Sequence, residues 1–136
     1  MMAGSVIAFA FALALSSCVS TPPPPFDQEP SPADELPPQV EANGRAQVEE
    51  STIRHQGSTD SAEVWIAQQR GGQGVCLIVV ATDQSEEWVV GCSGGGGPGG
   101  VSLRGAGEFE YSAQGMPGNE PREGWIAVSD YVIARE

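Results

Sequence analysis

The order of apolar and polar positions divides the 136-residue chain into three stretches. From Val6 to Leu15 ten apolar residues follow one another as "VIAFAFALAL". From Val19 to Gly44 apolar side chains are sparse and prolines dense. From Glu63 onward the pattern is that of short strands separated by glycine and polar turns. "EVWIAQQ" (63–69) alternates and ends at "RGGQG". "VCLIVVA" (75–81) is a continuous apolar run, which predicts a strand covered on both faces or centrally placed. "WVVGC" (88–92) and the short "VSL" (101–103) follow. In "GEFEYSA" (107–113) Phe109 and Tyr111 share one face, and Glu108 and Glu110 the other. "GWIAVSDYVIAR" (124–135) reads as one bent strand or two short ones, broken near Ser129–Asp130. These elements predict a mainly β domain, an antiparallel meander of five to seven strands. A short helix within "VEESTIRHQG" (48–57) leaves α+β open.

Hairpin geometry then bears on the cysteines, of which there are three, an odd number. Cys76 and Cys92 each lie eight residues from Gln84, so a turn centred there places them opposite one another. The same register sets Ile78 against Val90 and Val80 against Trp88, a coherent apolar stripe. Opposed residues at a non-hydrogen-bonded position approach to ~4.5 Å between Cα atoms, within disulfide reach. Such a bond stabilises a small domain by about 3 kcal/mol in the chain-entropy view. The alternative is a pair of reduced cysteines buried as small apolar residues. The third cysteine, Cys18, is left over.

Cys18 follows the apolar run directly, in "LSSCVSTP" (15–22). Ten residues suit the core of a signal peptide and fall short of the ~20 needed to span a bilayer. Fifteen helical residues counted from Met1 would reach only about 22 Å against a hydrocarbon core of ~30 Å. "L-S-S-C" resembles the lipobox of bacterial lipoproteins, a branched apolar residue and two small residues ahead of a cysteine. The resemblance implies a signal peptide over 1–17, cleavage of the Ser17–Cys18 bond and acylation of Cys18. It also implies a place on the extracytoplasmic face of the cell membrane. No basic residue precedes Arg45, so the terminal amine alone supplies positive charge ahead of the apolar run. A plain secretory signal without an anchor is the alternative.

Residues 18–44 carry eight of the eleven prolines, five acids and no base. Proline withholds backbone donors and the acids repel one another, which predicts a disordered, polyproline-like linker. At ~3.1 Å per residue its length approaches 75 Å. The globular domain is expected over 45–136. Its strand-rich stretches "GVCLIVV", "WVVGCSGGGG", "VSL" and "GWIAVSDYVIA" loosely resemble small uncharacterised exported domains of high-GC Gram-positive bacteria. That resemblance implies an extracytoplasmic β-rich domain and no particular activity.

Charge narrows the partners. The net charge is −12, with six arginines and no lysine. Such a chain is repelled by phosphate backbones, so nucleic acid is not an expected partner. Anionic headgroups repel it too, so a membrane must hold it through lipid rather than charge. Features that suggest chemistry have plainer readings. "GCSGGGGPGG" matches a dinucleotide-binding glycine pattern, but Pro98 and a short strand follow where a helix would be needed. His55 is the single histidine and reads as a surface or strand-edge residue. Glu108 and Glu110 would lie ~7 Å apart on one strand, as an amphipathic strand alone requires. Trp65, Trp88 and Trp125 could stack on cell-wall sugar but sit in apolar stretches that favour the core. No metal or cofactor is expected, since the cysteines lack companion ligands. The functional expectation is a lipid-anchored interaction domain, not an enzyme, with an envelope protein or cell-wall glycan as partner. A small cell-envelope hydrolase is the rival, and a pocket joining His55 to acids would favour it.

Overall fold

The computed structural model describes residues 26–72, 74–83, 85–93, 99–112 and 121–136. The signal stretch, the Ser17–Cys18 bond, Cys18 and residues 94–98 of the glycine tract lie outside these. Two antiparallel four-stranded sheets form the frame. The first is β1 (Arg54–Ser58), β2 (Ala62–Gln68), β3 (Val75–Ala81) and β4 (Trp88–Ser93), in chain order. The second contains β5 (Gly99–Leu103), β6 (Gly107–Tyr111), β7 (Ile126–Ala127) and β8 (Val132–Arg135), ordered β5-β6-β8-β7. The mainly β class is as expected, with eight strands among the described residues instead of five to seven. The added strand is β1, from the stretch that also suggested a short helix; there a 3₁₀ turn at Glu50–Thr52 precedes the strand. "GWIAVSDYVIAR" breaks where expected. The Ser129 hydroxyl accepts from the N–H groups of Tyr131 and Val132, both at 3.1 Å, and turns the chain from β7 into β8.

The β3–β4 hairpin has the register read from its symmetry: Cys76 faces Cys92, Ile78 faces Val90 and Val80 faces Trp88. Ala81 N–H donates to Glu87 O at 2.9 Å, which makes that pair hydrogen-bonded. Alternation then puts Cys76 and Cys92 at a non-hydrogen-bonded position, where strands approach most closely. Their Cα atoms are 3.9 Å apart and their sulfurs are bonded.

β3 is interior in its sheet and buried on both sides, as its unbroken apolar run required. One face carries Val64, Ile66, Leu77 and Val79 against Phe109, Tyr111 and Val132 of the second sheet. The other carries Trp65, Ala67, Cys76, Ile78 and Val80, and among the described residues no sheet lies on it. Leu36, Val40, Val48 and Ile53 cover it instead. Glycine permits two close approaches here. A Cβ on Gly91 would collide with Cγ1 of Val101, where β4 hands over to the second sheet. One on Gly44, in the four-residue helix α1 (Ala42–Arg45), would lie 2.5 Å from the Trp88 ring.

This cover corrects the linker expectation. From Phe26 onward the proline-rich stretch is packed onto the sheet, and the packed body begins well before residue 45. Phe26 inserts between the two sheets, whereas Leu36 and Val40 lie on the opposite face. The segment therefore crosses the β1 edge. Short turns pair some of its carbonyls, such as Pro32 O with the Glu35 N–H and Pro37 O with the Val40 N–H, and side chains meet others. Arg45 donates to the carbonyls of Val40, Leu36 and Pro37 at 2.8, 3.2 and 3.0 Å. Buried Arg54 donates to Gln28 O at 3.0 Å, and the Trp65 indole to Ala33 O at 3.0 Å. Asp34 accepts from the His55 N–H at 2.7 Å and so caps an edge-strand donor. Composition argued for a free linker because donors contributed from other segments are invisible in it.

Candidate functional site

The cover leaves one end of its face open. Between the 3₁₀ turn Pro32–Asp34 and the sheet runs a groove of about 590 Å³. Pro32, Ala33, Glu35, Pro37 and Gln39 form its outer wall. His55, Glu63, Trp65, Val80 and Asp83 form the sheet side.

Strand register sets this wall. His55 faces Trp65 across β1 and β2, and Glu63 faces Val80 across β2 and β3. These side chains share one face, since residues opposite or two apart on a strand project alike. His55 meets Trp65 edge-on, with ring centroids 5.2 Å apart and planes at 65°. Its Nε2 lies 3.2 Å from Glu63 Oε2, with the two side chains 26% and 45% exposed. A shift of register between His55 and Gly57 marks a bulge beside the pair, and such bulges re-aim neighbouring side chains. At the far rim, Asp83 accepts from the Ser85 hydroxyl and, at 2.9 Å, from its backbone N–H. Those two bonds hold the Asp83 carboxyl below its usual range and keep it ionised. The lining therefore combines apolar walls with three carboxylates, of Glu35, Glu63 and Asp83, and contains neither lysine nor arginine. Concave, partly apolar sites with a few polar groups are where ligands bind.

A second cluster lies on the outer face of the second sheet. The half-buried Trp125 ring has the guanidinium carbons of Arg122 and Arg135 at 4.6 and 5.0 Å from its centroid. Arg122 pairs with Glu110 at 2.7 Å, and Arg135 pairs with Glu108. Glu108 and Glu110 are thus engaged by arginines, in keeping with an amphipathic strand and not with an acid–base pair.

Of the tryptophans, Trp65 is in the core, Trp88 is partly buried against it and Trp125 lies outside it. His55 is on an edge strand, as expected, yet half-buried and joined to Glu63, an acid the sequence reading did not single out. The signal was present. His55 and Trp65 are each five residues from Asp60, the same hairpin symmetry that paired the cysteines. The bulge conceals it by offsetting every pair beyond His55 by one residue. Among the described residues no group of three or more histidines, cysteines or acids is placed to hold a metal ion. Nor is any helix among them long and apolar enough to cross a membrane. Compared with protein-family models, curated proteins and solved structures, the chain gives no match.

Proposed function

We propose that the chain is a lipid-anchored extracytoplasmic binding protein, acylated at Cys18, whose groove receives a ligand bearing a protonated amine or guanidinium. The observation that carries the binding reading is the groove itself, with apolar walls, three carboxylates and no lysine or arginine in its lining. A cation entering it exchanges water for carboxylates on a low-dielectric wall, where charge attraction is stronger than in bulk solvent. Basic extracytoplasmic segments of an envelope protein are partners of this chemistry. The anchor rests on the "LSSC" stretch after a short apolar run and on the pairing of the other two cysteines.

Two experiments test the two halves. Metabolic labelling with a fatty acid should mark the natural chain and leave Cys18→Ala unlabelled; equal labelling of both would sink the anchor. For the groove, NMR titration with a Lys-Arg-Lys tripeptide should shift resonances of His55, Glu63 and Asp83. Glu63→Gln combined with Asp83→Asn should weaken binding about fivefold, the equivalent of ~1 kcal/mol. Shifts spread evenly over the acidic surface would refute a localised site.

A second reading, a small hydrolase, is favoured by the His55–Glu63 pair. Glu63 could hold the imidazole so that its other nitrogen takes a proton. The lining hydroxyl that could serve as nucleophile is that of Thr82. Turnover of an envelope substrate that His55→Ala abolishes, with folding intact, would replace the binding reading.

A further inference from the structure

The packing of residues 26–44 changes what an anchor at Cys18 would do. A linker over 18–44 would lift the domain roughly 75 Å from its attachment point. The structure removes most of that length. Phe26 is 8% exposed, within the core between the sheets. Beyond it, Arg54 holds the Gln28 carbonyl, Trp65 holds the Ala33 carbonyl, and Asp34 bonds the His55 N–H. Leu36 and Val40 are 5% and 1% exposed in the second core. At most residues 19–25 separate Cys18 from the packed body.

Covalent geometry bounds the reach of that connection whatever its conformation. Eight residue steps fully extended span at most about 29 Å. A compact domain of roughly 110 residues has a radius of gyration near 13 Å, hence a diameter of about 35 Å. The tether is shorter than the body it holds. Moreover, the groove's outer wall, Pro32 to Gln39, is the direct continuation of the tether. Fourteen residue steps from Cys18 to Pro32 cap that separation at about 50 Å.

We infer that the domain rides at the membrane surface, with its centre no more than about 50 Å from the headgroups and its groove within about 50 Å of the attachment point. This rests on the acylation of Cys18 proposed above. The domain's negative charge opposes close approach to anionic lipid, but that repulsion is screened within ~8 Å at physiological salt. Confined to that range, it does not free the domain from the surface.

The test uses the full chain purified from membranes, with acylation verified by intact mass, on a supported bilayer of phosphatidylethanolamine and phosphatidylglycerol. Neutron reflectivity should place the centre of the protein layer within about 50 Å of the headgroups. Twenty Pro-Ala-rich residues inserted between Thr21 and Pro22 should move it outward by up to ~60 Å. A layer centred farther than 50 Å without the insertion would overturn the inference and leave the anchor standing. An unacylated chain that does not stay on the bilayer would overturn the anchor and the inference with it. Limited proteolysis gives a readout free of the anchor. Cleavage between Phe26 and Gly44 at the rate of an unfolded peptide would also overturn the short tether.

Discussion

The first sheet is covered on its two faces by unlike structures. On one side lies a second sheet, whose backbone groups pair among their own strands, so that apolar side chains alone suffice at the contact. Phe109, Tyr111 and Val132 meet Val64, Leu77 and Val79 there. On the other side lies an irregular, proline-rich segment that pairs few of its own backbone groups. It docks through Leu36 and Val40, but its carbonyls must also find donors, and Arg45, Arg54 and Trp65 provide them. A regular cover needs only area, whereas an irregular one needs area and a donor for each carbonyl it removes from water.

Mutation can break this contrast. The largest loss should come from the sheet–sheet side. Phe109→Ala empties a fully buried position between the sheets and should cost about 3–5 kcal/mol in urea denaturation. On the other face, Cys92→Ala should cost about 3 kcal/mol under oxidising conditions and nothing when the natural protein is reduced too. An unchanged melting temperature in oxidising buffer would remove the disulfide from the stability argument.

Alkali should strike the apolar contact selectively. Tyr111 is 2% exposed and its hydroxyl has no hydrogen-bond partner among the described residues. Burial, reinforced by Tyr131, pushes its pKa up to about 12 from 10.0. A group whose folded pKa is raised contributes stability that is complete below its unfolded pKa and fades as pH rises through the folded one. Between pH 10 and 12, then, about 2–3 kcal/mol should be lost. Tyr111→Phe should flatten that decline and be no less stable at neutral pH, because it removes a polar atom that no described residue satisfies. The same slope in both proteins would assign the alkaline transition elsewhere.

The smallest global effect should come from Arg45→Ala. It removes the side-chain donor from the carbonyls of Leu36 and Val40, while Pro37 O keeps the Val40 N–H, and should cost about 2 kcal/mol. Its signature is local. Hydrogen exchange and proteolysis should rise over residues 36–45 while the sheet–sheet contact keeps its near-ultraviolet signal. Uniform loosening of both faces would show that the two covers act as one.

What could be read in advance follows the range of the interactions. The β3–β4 hairpin was legible pair by pair because its partners are joined by a short turn. One apolar alternation sets Cys76, Ile78 and Val80 against Cys92, Val90 and Trp88. The burial of β3 on both faces was legible from its composition. Residues 26–44 were misjudged for the converse reason. Phe26, Leu36 and Val40 follow neither a period of two nor one of 3.6, and two of the donors that fasten the segment, Arg54 and Trp65, lie on later strands. The groove was half legible: its histidine was noted, but Glu63 and Asp83 join it through a bulged register and a second hairpin.

By itself, the sequence determined the strand pattern, the cysteine pairing, the acidic charge and the "LSSC" stretch, since each depends on near neighbours or on composition. Only the tertiary structure decided that a proline-rich segment is a packed cover and not a free linker. It alone set the groove beside that cover and left at most seven residues between Cys18 and the body. The physical reason is that an irregular segment has no local signature of being folded. Local turns and the adjacent Arg45 meet some of its carbonyls, but Gln28 and Ala33 are met only when Arg54 and Trp65 arrive from strands farther along the chain.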